Sequence, residues 1–187
     1  MTYHRHSQLE GTFDFFHEDN HVRDDQEIVY TDNGKYFDDW LADIDNAQHT
    51  LIVETFIFAA DFLGERVAEH LIKAAQRGVK VRLMVDGMGA LFWHAPFRPL
   101  MEQAGIKIVI FHPAPWRVWQ WGYALNVSKS ILARIYQFIS KTNSRDHRKV
   151  TIIDGKIAWV GSINITKEHL PKDQGGGGWC DAAVRLY

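Results

Sequence analysis

An imidazole, an ammonium, a hydroxyl and an amide occur at short, fixed spacings in the second half of the sequence. His147 and Lys149 are two residues apart, and Ser162 and Asn164 follow a short apolar run. Phosphodiester chemistry suits this set: a nucleophile or acid with a reference pKa of about 6.5, a positive charge, and neutral donors for the equatorial phosphate oxygens. We therefore predict a phosphodiester site at these four residues.

The four residues converge only if the chain between them reverses direction. Asp154-Gly155 lies between two apolar runs, a pattern typical of a two-residue β-hairpin turn. Such a hairpin returns Ser162 and Asn164 to the end where His147 and Lys149 lie. If its first strand begins at His147, alternation places His147 and Lys149 on one face.

The pattern His147-x-Lys149-x4-Asp154-x6-Gly161-Ser162-x-Asn164 resembles the HKD motif of the phospholipase D superfamily. The flanks "LIVETFIFAADFLGERVAEHLIKAAQRGVKVRLMVDGMG" and "WCDAAVRL" are similar to the N-terminal lobe of bacterial cardiolipin synthases. The resemblance covers roughly residues 31–186. It implies a phospholipase D-like lobe and a phosphatidyltransferase that transesterifies phospholipid phosphodiesters, with no metal and no cofactor.

The resemblance also implies a role for each residue of the motif. His147 is the expected nucleophile, which forms a phosphohistidine. Lys149 and Asn164 are expected to contact phosphate oxygens, and Ser162 to support them. Asp154 belongs to the motif, but its place at the predicted turn favours a structural role over proton transfer.

Two acidic residues outside the motif are further candidates for the site. Asp181 matches an acidic position that orients the catalytic imidazole through Nδ1, which fixes its tautomer and stabilises the cation. Glu54 lies in a predicted buried strand at a position that faces the family's pocket. An unpaired buried carboxylate is costly, so we expect a partner such as a Lys or His; the alternative is a purely structural ion pair.

The sequence departs from the family by holding one motif instead of two. The second HKD lobe is expected either later in a longer chain, which a sequence stopping within a predicted strand favours, or in a homodimer partner. A phosphodiesterase or nuclease active as a homodimer, and an isolated inactive lobe, are the alternatives to the transferase.

The elements that position these residues alternate between short apolar strands and amphipathic helices. One helical face carries Phe37, Leu41 and Ile44, and another carries Val67 and Leu71. This alternation predicts an α/β fold whose mixed, largely parallel β-sheet is flanked by helices. We expect an N-terminal extension over residues 1–27 and a single lobe over residues 28–187.

The charges are segregated although the formal net charge is only −2. Residues 115–149 hold seven Lys or Arg and one acid, together with three of the seven tryptophans. A helical apolar face at Val127, Ile131, Ile135 and Ile139 either covers the core or lies in a lipid interface. With a phospholipid substrate, the second interpretation predicts an anionic membrane surface as partner and a cytoplasmic location, peripheral at the inner membrane.

Other patterns do not predict a site. "HEDNH" at residues 17–21 matches a zinc motif, but Asp19 and Asn20 disfavour the helix that such a site requires. Cys180 is the single cysteine, which excludes an internal disulfide.

Overall fold

The computed structural model describes residues 27–90, 94–113, 117–124 and 146–187. The predicted helix from Val127 to Ile139 therefore lies outside the described residues, as does the predicted N-terminal extension except for Glu27, the first residue of β1. The main elements, in chain order, are β1 (Glu27–Tyr30), α1 (Asn33–Asn46), β2 (Thr50–Thr55), α2 (Phe62–Gln76), β3 (Lys80–Asp86), α3 (His94–Gln103), β4 (Lys107–Phe111), β5 (Val150–Ile153), β6 (Ile157–Gly161) and β7 (Ala183–Leu186). Short 3₁₀ helices span Val118–Tyr123, Lys167–His169 and Lys172–Gln174.

The seven strands described form one mixed sheet in the order β1-β7-β6-β5-β2-β3-β4. This confirms the predicted α/β class. The pairs β2–β3 and β3–β4 are parallel, and the four remaining pairings are antiparallel, which corrects the expectation of a largely parallel sheet. Parallel neighbours need a long crossover; α2 provides it between β2 and β3, and α3 provides it between β3 and β4. β5 and β6 form a hairpin instead, and β7 pairs beside it with β1.

The helices bury the faces that the sequence predicts. Phe37, Leu41 and Ile44 of α1 are all buried, as are Val67 and Leu71 of α2. α1 and α2 each begin with an aspartate cap. Asp32 accepts from the backbone N–H groups of Gly34 and Lys35, and Asp61 accepts from that of Gly64, which satisfies donors that a helix start leaves unpaired.

Four strand ends lie side by side at one edge of the sheet, by which we mean the edge where strands begin and end. β2 and β5 are antiparallel with Glu54 opposite Val150, so the carboxyl end of β2 lies beside the amino end of β5. β6 ends at the same edge, with Val160 opposite Val150, and Gly161 is paired with Ala183 at the start of β7. Residues just outside these four ends are therefore neighbours despite their separation in sequence. Within the residues described, no helix is long and apolar enough to cross a membrane.

Candidate functional site

Lys149, Asn164 and Glu54 line one small, partly open cleft of about 10 Å³ at this sheet edge. Asn164 is buried, and its Oδ1 accepts a hydrogen bond from the Ile57 backbone N–H at 3.1 Å. The Gly161 N–H donates to the Lys149 carbonyl at 3.3 Å, which continues the hairpin pairing past the end of β5. The hairpin therefore returns Asn164 to the Lys149 end, as predicted.

The ammonium of Lys149 is half-buried and held by the neighbouring backbone. Its Nζ donates to the carbonyl oxygen of His147 at 2.6 Å. Burial lowers the pKa of Lys149, and the negative charges of Asp181 and Asp146 oppose that shift. A partly desolvated ammonium attracts an anion more strongly than one in bulk water, because fewer waters screen it.

His147 contacts the ring of Phe56, which the sequence argument did not anticipate. The two rings are stacked with centroids 4.1 Å apart and planes 29° apart. The Nζ of Lys149 lies 5.4 Å from the centroid of the same Phe56 ring. β5 begins only at Val150, so strand alternation does not place His147 and Lys149 on one face. A shared contact with Phe56 brings them together instead.

We expect Phe56→Leu to loosen both motif side chains, because leucine is apolar but has no ring face for stacking or for a cation–π contact. Inorganic phosphate should bind roughly 3- to 10-fold more weakly. In an NMR spectrum, the ring protons of His147 should lose their ring-current shift. Phe111→Leu is the matched control, since Phe111 stacks on His112 with the same 4.1 Å centroid separation. Unchanged His147 resonances in Phe56→Leu would contradict this role for Phe56.

Glu54 pairs with an arginine, whereas the sequence argument expected a lysine or histidine. Arg148 Nη2 lies 3.6 Å from Glu54 Oε2, and the guanidinium also makes two hydrogen bonds, of 2.8 and 2.7 Å, to the carboxylate of Asp146. These bonds from Arg148 hold the pKa of Asp146 below its usual range, although burial acts in the opposite direction. The three side chains form a charged cluster, of which Glu54 lines the cleft.

Asp154 lies at the other end of β5, away from the cleft. A strand rises about 3.3 Å per residue, which places Asp154 roughly 16 Å from Lys149. Its carboxylate accepts the backbone N–H groups of Gln48, His49 and Thr50 at 2.8, 2.7 and 2.7 Å. The structure therefore separates Asp154 from the other motif residues, and gives it the structural position that its place at the turn predicts.

Ser162 and Asp181 contact partners other than His147. Ser162 Oγ donates to the Ala182 carbonyl at 3.3 Å, which ties the loop after β6 to the residue before β7. Asp181 was expected to orient His147 through Nδ1. Its Oδ2 instead lies 2.9 Å from Nδ1 of His169, and within the residues that the structure describes Asp181 makes no hydrogen bond or ion pair with His147.

Sequence reasoning therefore missed two side chains at this edge, Phe56 and His169. Phe56 stands two residues after Glu54, directly beyond the end of β2, a position where loop residues often meet a site. His169 follows Asn164 by five residues in a stretch with no apparent periodicity. Among the residues described, no group of three or more His, Cys, Asp or Glu could hold a metal ion.

Comparison with known proteins shows which family this chain is similar to. A family model described as "Cardiolipin synthase, PLD-like domain" matches residues 40–174. Cardiolipin synthase of Oceanobacillus iheyensis is 30% identical over 174 residues, which cover 89% of this chain and 32% of that protein. Cardiolipin synthase A of Escherichia coli is 32% identical over 167 residues, covering 88% and 31% respectively. The chain thus spans about a third of the length of these relatives.

A solved structure shares the fold. The phospholipase D family member Nuc from Salmonella typhimurium matches with a TM-score of 0.53 at 19% sequence identity. The match covers 87% of this chain and 84% of that one.

Proposed function

Since this chain belongs to the family of phospholipase D-like domains of cardiolipin synthases, we propose that it is one catalytic lobe of a phosphatidyltransferase of cardiolipin synthase type. The enzyme moves a phosphatidyl group from a phospholipid to an alcohol acceptor such as phosphatidylglycerol. The observation that carries this proposal is the convergence of Lys149 and Asn164 on one cleft, with the ring of His147 and the ammonium of Lys149 both against Phe56.

The proposed reaction is a double displacement at phosphorus. A ring nitrogen of His147 attacks the phosphodiester, a nitrogen–phosphorus bond forms, and the bond to the departing alkoxide breaks. The alkoxide takes a proton from the histidine of a second motif. That histidine then removes the proton of the acceptor hydroxyl, whose oxygen attacks the phosphohistidine and releases His147.

The other motif residues bind and orient the phosphate. Lys149 supplies a positive charge and Asn164 an amide N–H for the equatorial oxygens, which gain negative charge in the transition state. Ser162 supports the loop that presents Asn164, because its hydroxyl bonds the strand beside it. Glu54 lines the cleft and pairs with Arg148, so the alcohol portion of a substrate would pass this charged pair.

The mechanism needs a second HKD lobe, from the same polypeptide or from a homodimer partner. It also needs access to lipid, so we propose a cytoplasmic enzyme, peripheral at the inner membrane, with an anionic membrane surface as a partner. The basic, tryptophan-rich sequence between residues 115 and 149 supports this placement through its composition.

Transfer from a radiolabelled phospholipid to phosphatidylglycerol tests the proposal, measured in the assembly that carries two motifs. Acid-labile label should appear on the protein after rapid quenching, and an added alcohol such as glycerol should compete with water as acceptor. Sedimentation with vesicles containing anionic lipid should exceed sedimentation with neutral vesicles. If the fold is intact but neither transfer product nor labelled protein is formed, the transferase proposal is refuted.

A homodimeric phosphodiesterase acting on nucleic acid is the second candidate. The observation that favours it is the single His-x-Lys pair in 187 residues, which a symmetric dimer would duplicate. Salt-sensitive binding and cleavage of single-stranded DNA, without transfer between lipids, would establish this alternative.

A further inference from the structure

His169 is a buried titratable residue that the proposed mechanism does not use. Only 2% of its surface is exposed. Its backbone is fixed on both sides, since its N–H donates to the Thr166 carbonyl at 3.1 Å and its carbonyl accepts from Asn33 Nδ2 at 2.8 Å. The imidazole therefore has a defined position between the loop after β6 and the start of α1.

The two ring nitrogens of His169 face two residues associated with the motif. Nδ1 lies 2.9 Å from Asp181 Oδ2, and Nε2 lies 3.5 Å from Asn164 Nδ2. The ring also packs edge-on against the indole of Trp179, with centroids 5.3 Å apart. The Nδ1 contact is not aligned well enough to count as a hydrogen bond, so we treat it as mainly electrostatic.

These contacts favour one tautomer of His169. An ionised carboxylate only accepts, so the proton belongs on the nitrogen that faces Asp181. Burial lowers the pKa of His169, although the negative charge of Asp181 acts in the opposite direction, and the lowered pKa favours the neutral ring. In a neutral ring protonated at Nδ1, Nε2 is an acceptor, and the group facing it is the N–H₂ donor of Asn164.

The Ile57 N–H bond to Oδ1 supports the same orientation of the Asn164 amide from the other side. With Oδ1 bound to Ile57 and one N–H directed at His169, one N–H of Asn164 remains for a phosphate oxygen. We propose that His169 is a positioning residue: held by Asp181, it orients the Asn164 amide so that its free N–H faces the bound phosphate. This inference rests on the proposed function only in taking Asn164 as a phosphate ligand.

His169→Phe keeps a buried ring but removes the acceptor, and His169→Gln restores an acceptor oxygen. Inorganic phosphate is the probe, titrated by NMR while the side-chain N–H₂ signals of Asn164 are followed. We expect His169→Phe to weaken phosphate binding roughly 3- to 10-fold and to shift those signals, as the loss of one modest hydrogen bond would. His169→Gln should bind within about 2-fold of the unmodified chain.

The same substitution made in an Asn164→Ala chain distinguishes a positioning role of His169 from general damage to the fold. In Asn164→Ala the amide is absent, so adding His169→Phe should weaken phosphate binding no further. Equal phosphate affinity in His169→Phe and the unmodified chain, or an additional loss in the Asn164→Ala background, would overturn the inference. If His169→Phe does not fold, His169→Asn replaces it, because the shorter amide does not reach Asn164 and should weaken binding similarly.

The same measurements keep this inference apart from the proposed function. A chain that couples His169 to Asn164 in phosphate binding, but transfers no phosphatidyl group, would retain the positioning role and lose the transferase. If the assembly with two motifs transfers phosphatidyl groups, but His169→Phe changes neither the phosphate affinity nor the Asn164 signals, the transferase proposal stands and the positioning role of His169 is lost.

Discussion

His147→Ala is expected to lower the rate of phosphatidyl transfer by roughly 10³- to 10⁶-fold, the range found when a covalent nucleophile is removed from an enzyme. Alanine has no lone pair to form a bond to phosphorus, so the covalent route disappears. The residual rate would come from the charge and donors that Lys149 and Asn164 still provide. The measurements are the transfer of labelled phosphatidyl groups and the label retained on the quenched protein, in the assembly that carries two motifs.

His70→Ala is the matched control, because His70 lies on α2 and pairs with Asp45 at 2.8 Å, away from the cleft. It should transfer at close to the unmodified rate. Phosphate binding should persist in His147→Ala, since attack and binding depend on different side chains. Transfer that continues unchanged in His147→Ala, or label that remains on the protein, would remove His147 from the mechanism and move the nucleophile to another residue.

The motif was predictable because its geometry depends on short-range rules. Asp154 and Gly155 have the positive φ that such a turn requires, at 54° and 65°. The connection is one residue longer than the predicted two-residue turn, because Ile153 pairs with Ile157 and leaves Lys156 between the strands as well. Two short strands on either side of that turn fix which residues face each other. The sequence alone was therefore sufficient to place Lys149 near Asn164, 15 positions later.

The contacts between distant segments were not predictable in the same way. Phe56 meets His147 across 91 positions, and His169 meets Asp181 across an irregular loop. Neither contact leaves a period or a spacing in the sequence, because each depends on how whole strands and loops pack. Asp181 shows the consequence: its approach to the cleft was expected, but packing places a different histidine beside it.

The mixed sheet was predicted, but its share of antiparallel pairs was underestimated for a related reason. Alternation of strands and helices signals crossovers, and it correctly indicated the parallel pairs β2–β3 and β3–β4. This alternation does not indicate beside which strand a later hairpin will pair, or in which direction. β5 joins β2 in the antiparallel sense, and that choice places Lys149 beside Glu54 and creates the cleft.

Asp154→Asn is expected to lower the free energy of unfolding by about 1–2 kcal/mol at pH 7, and Asp154→Ala by about 3 kcal/mol. Asparagine tolerates the positive φ and suits the turn, but its single side-chain oxygen cannot replace both carboxylate oxygens for three N–H donors. Alanine loses the bonds and is also strained at φ 54°. Because the carboxylate is partly exposed, the expected loss in free energy of unfolding per bond is at the low end of the range for hydrogen bonds to charged groups. Urea unfolding measures both variants, with the exposed Asp173→Asn, outside these contacts, as control.

The pH dependence identifies the source of that stability. Burial alone would raise the pKa of Asp154, but hydrogen bonds from the Thr50, Gln48 and His49 backbone outweigh it, so the pKa in the folded state is below its usual value. The unfolded chain then binds the proton more tightly, and the stabilisation is complete above the unfolded pKa of about 3.9. It is lost as the pH falls through the folded pKa. The stability difference between the unmodified chain and Asp154→Asn should therefore stay constant from pH 7 to about pH 5 and narrow below about pH 4. A difference that persists unchanged into acid would mean that the ionised carboxylate does not anchor the start of β2.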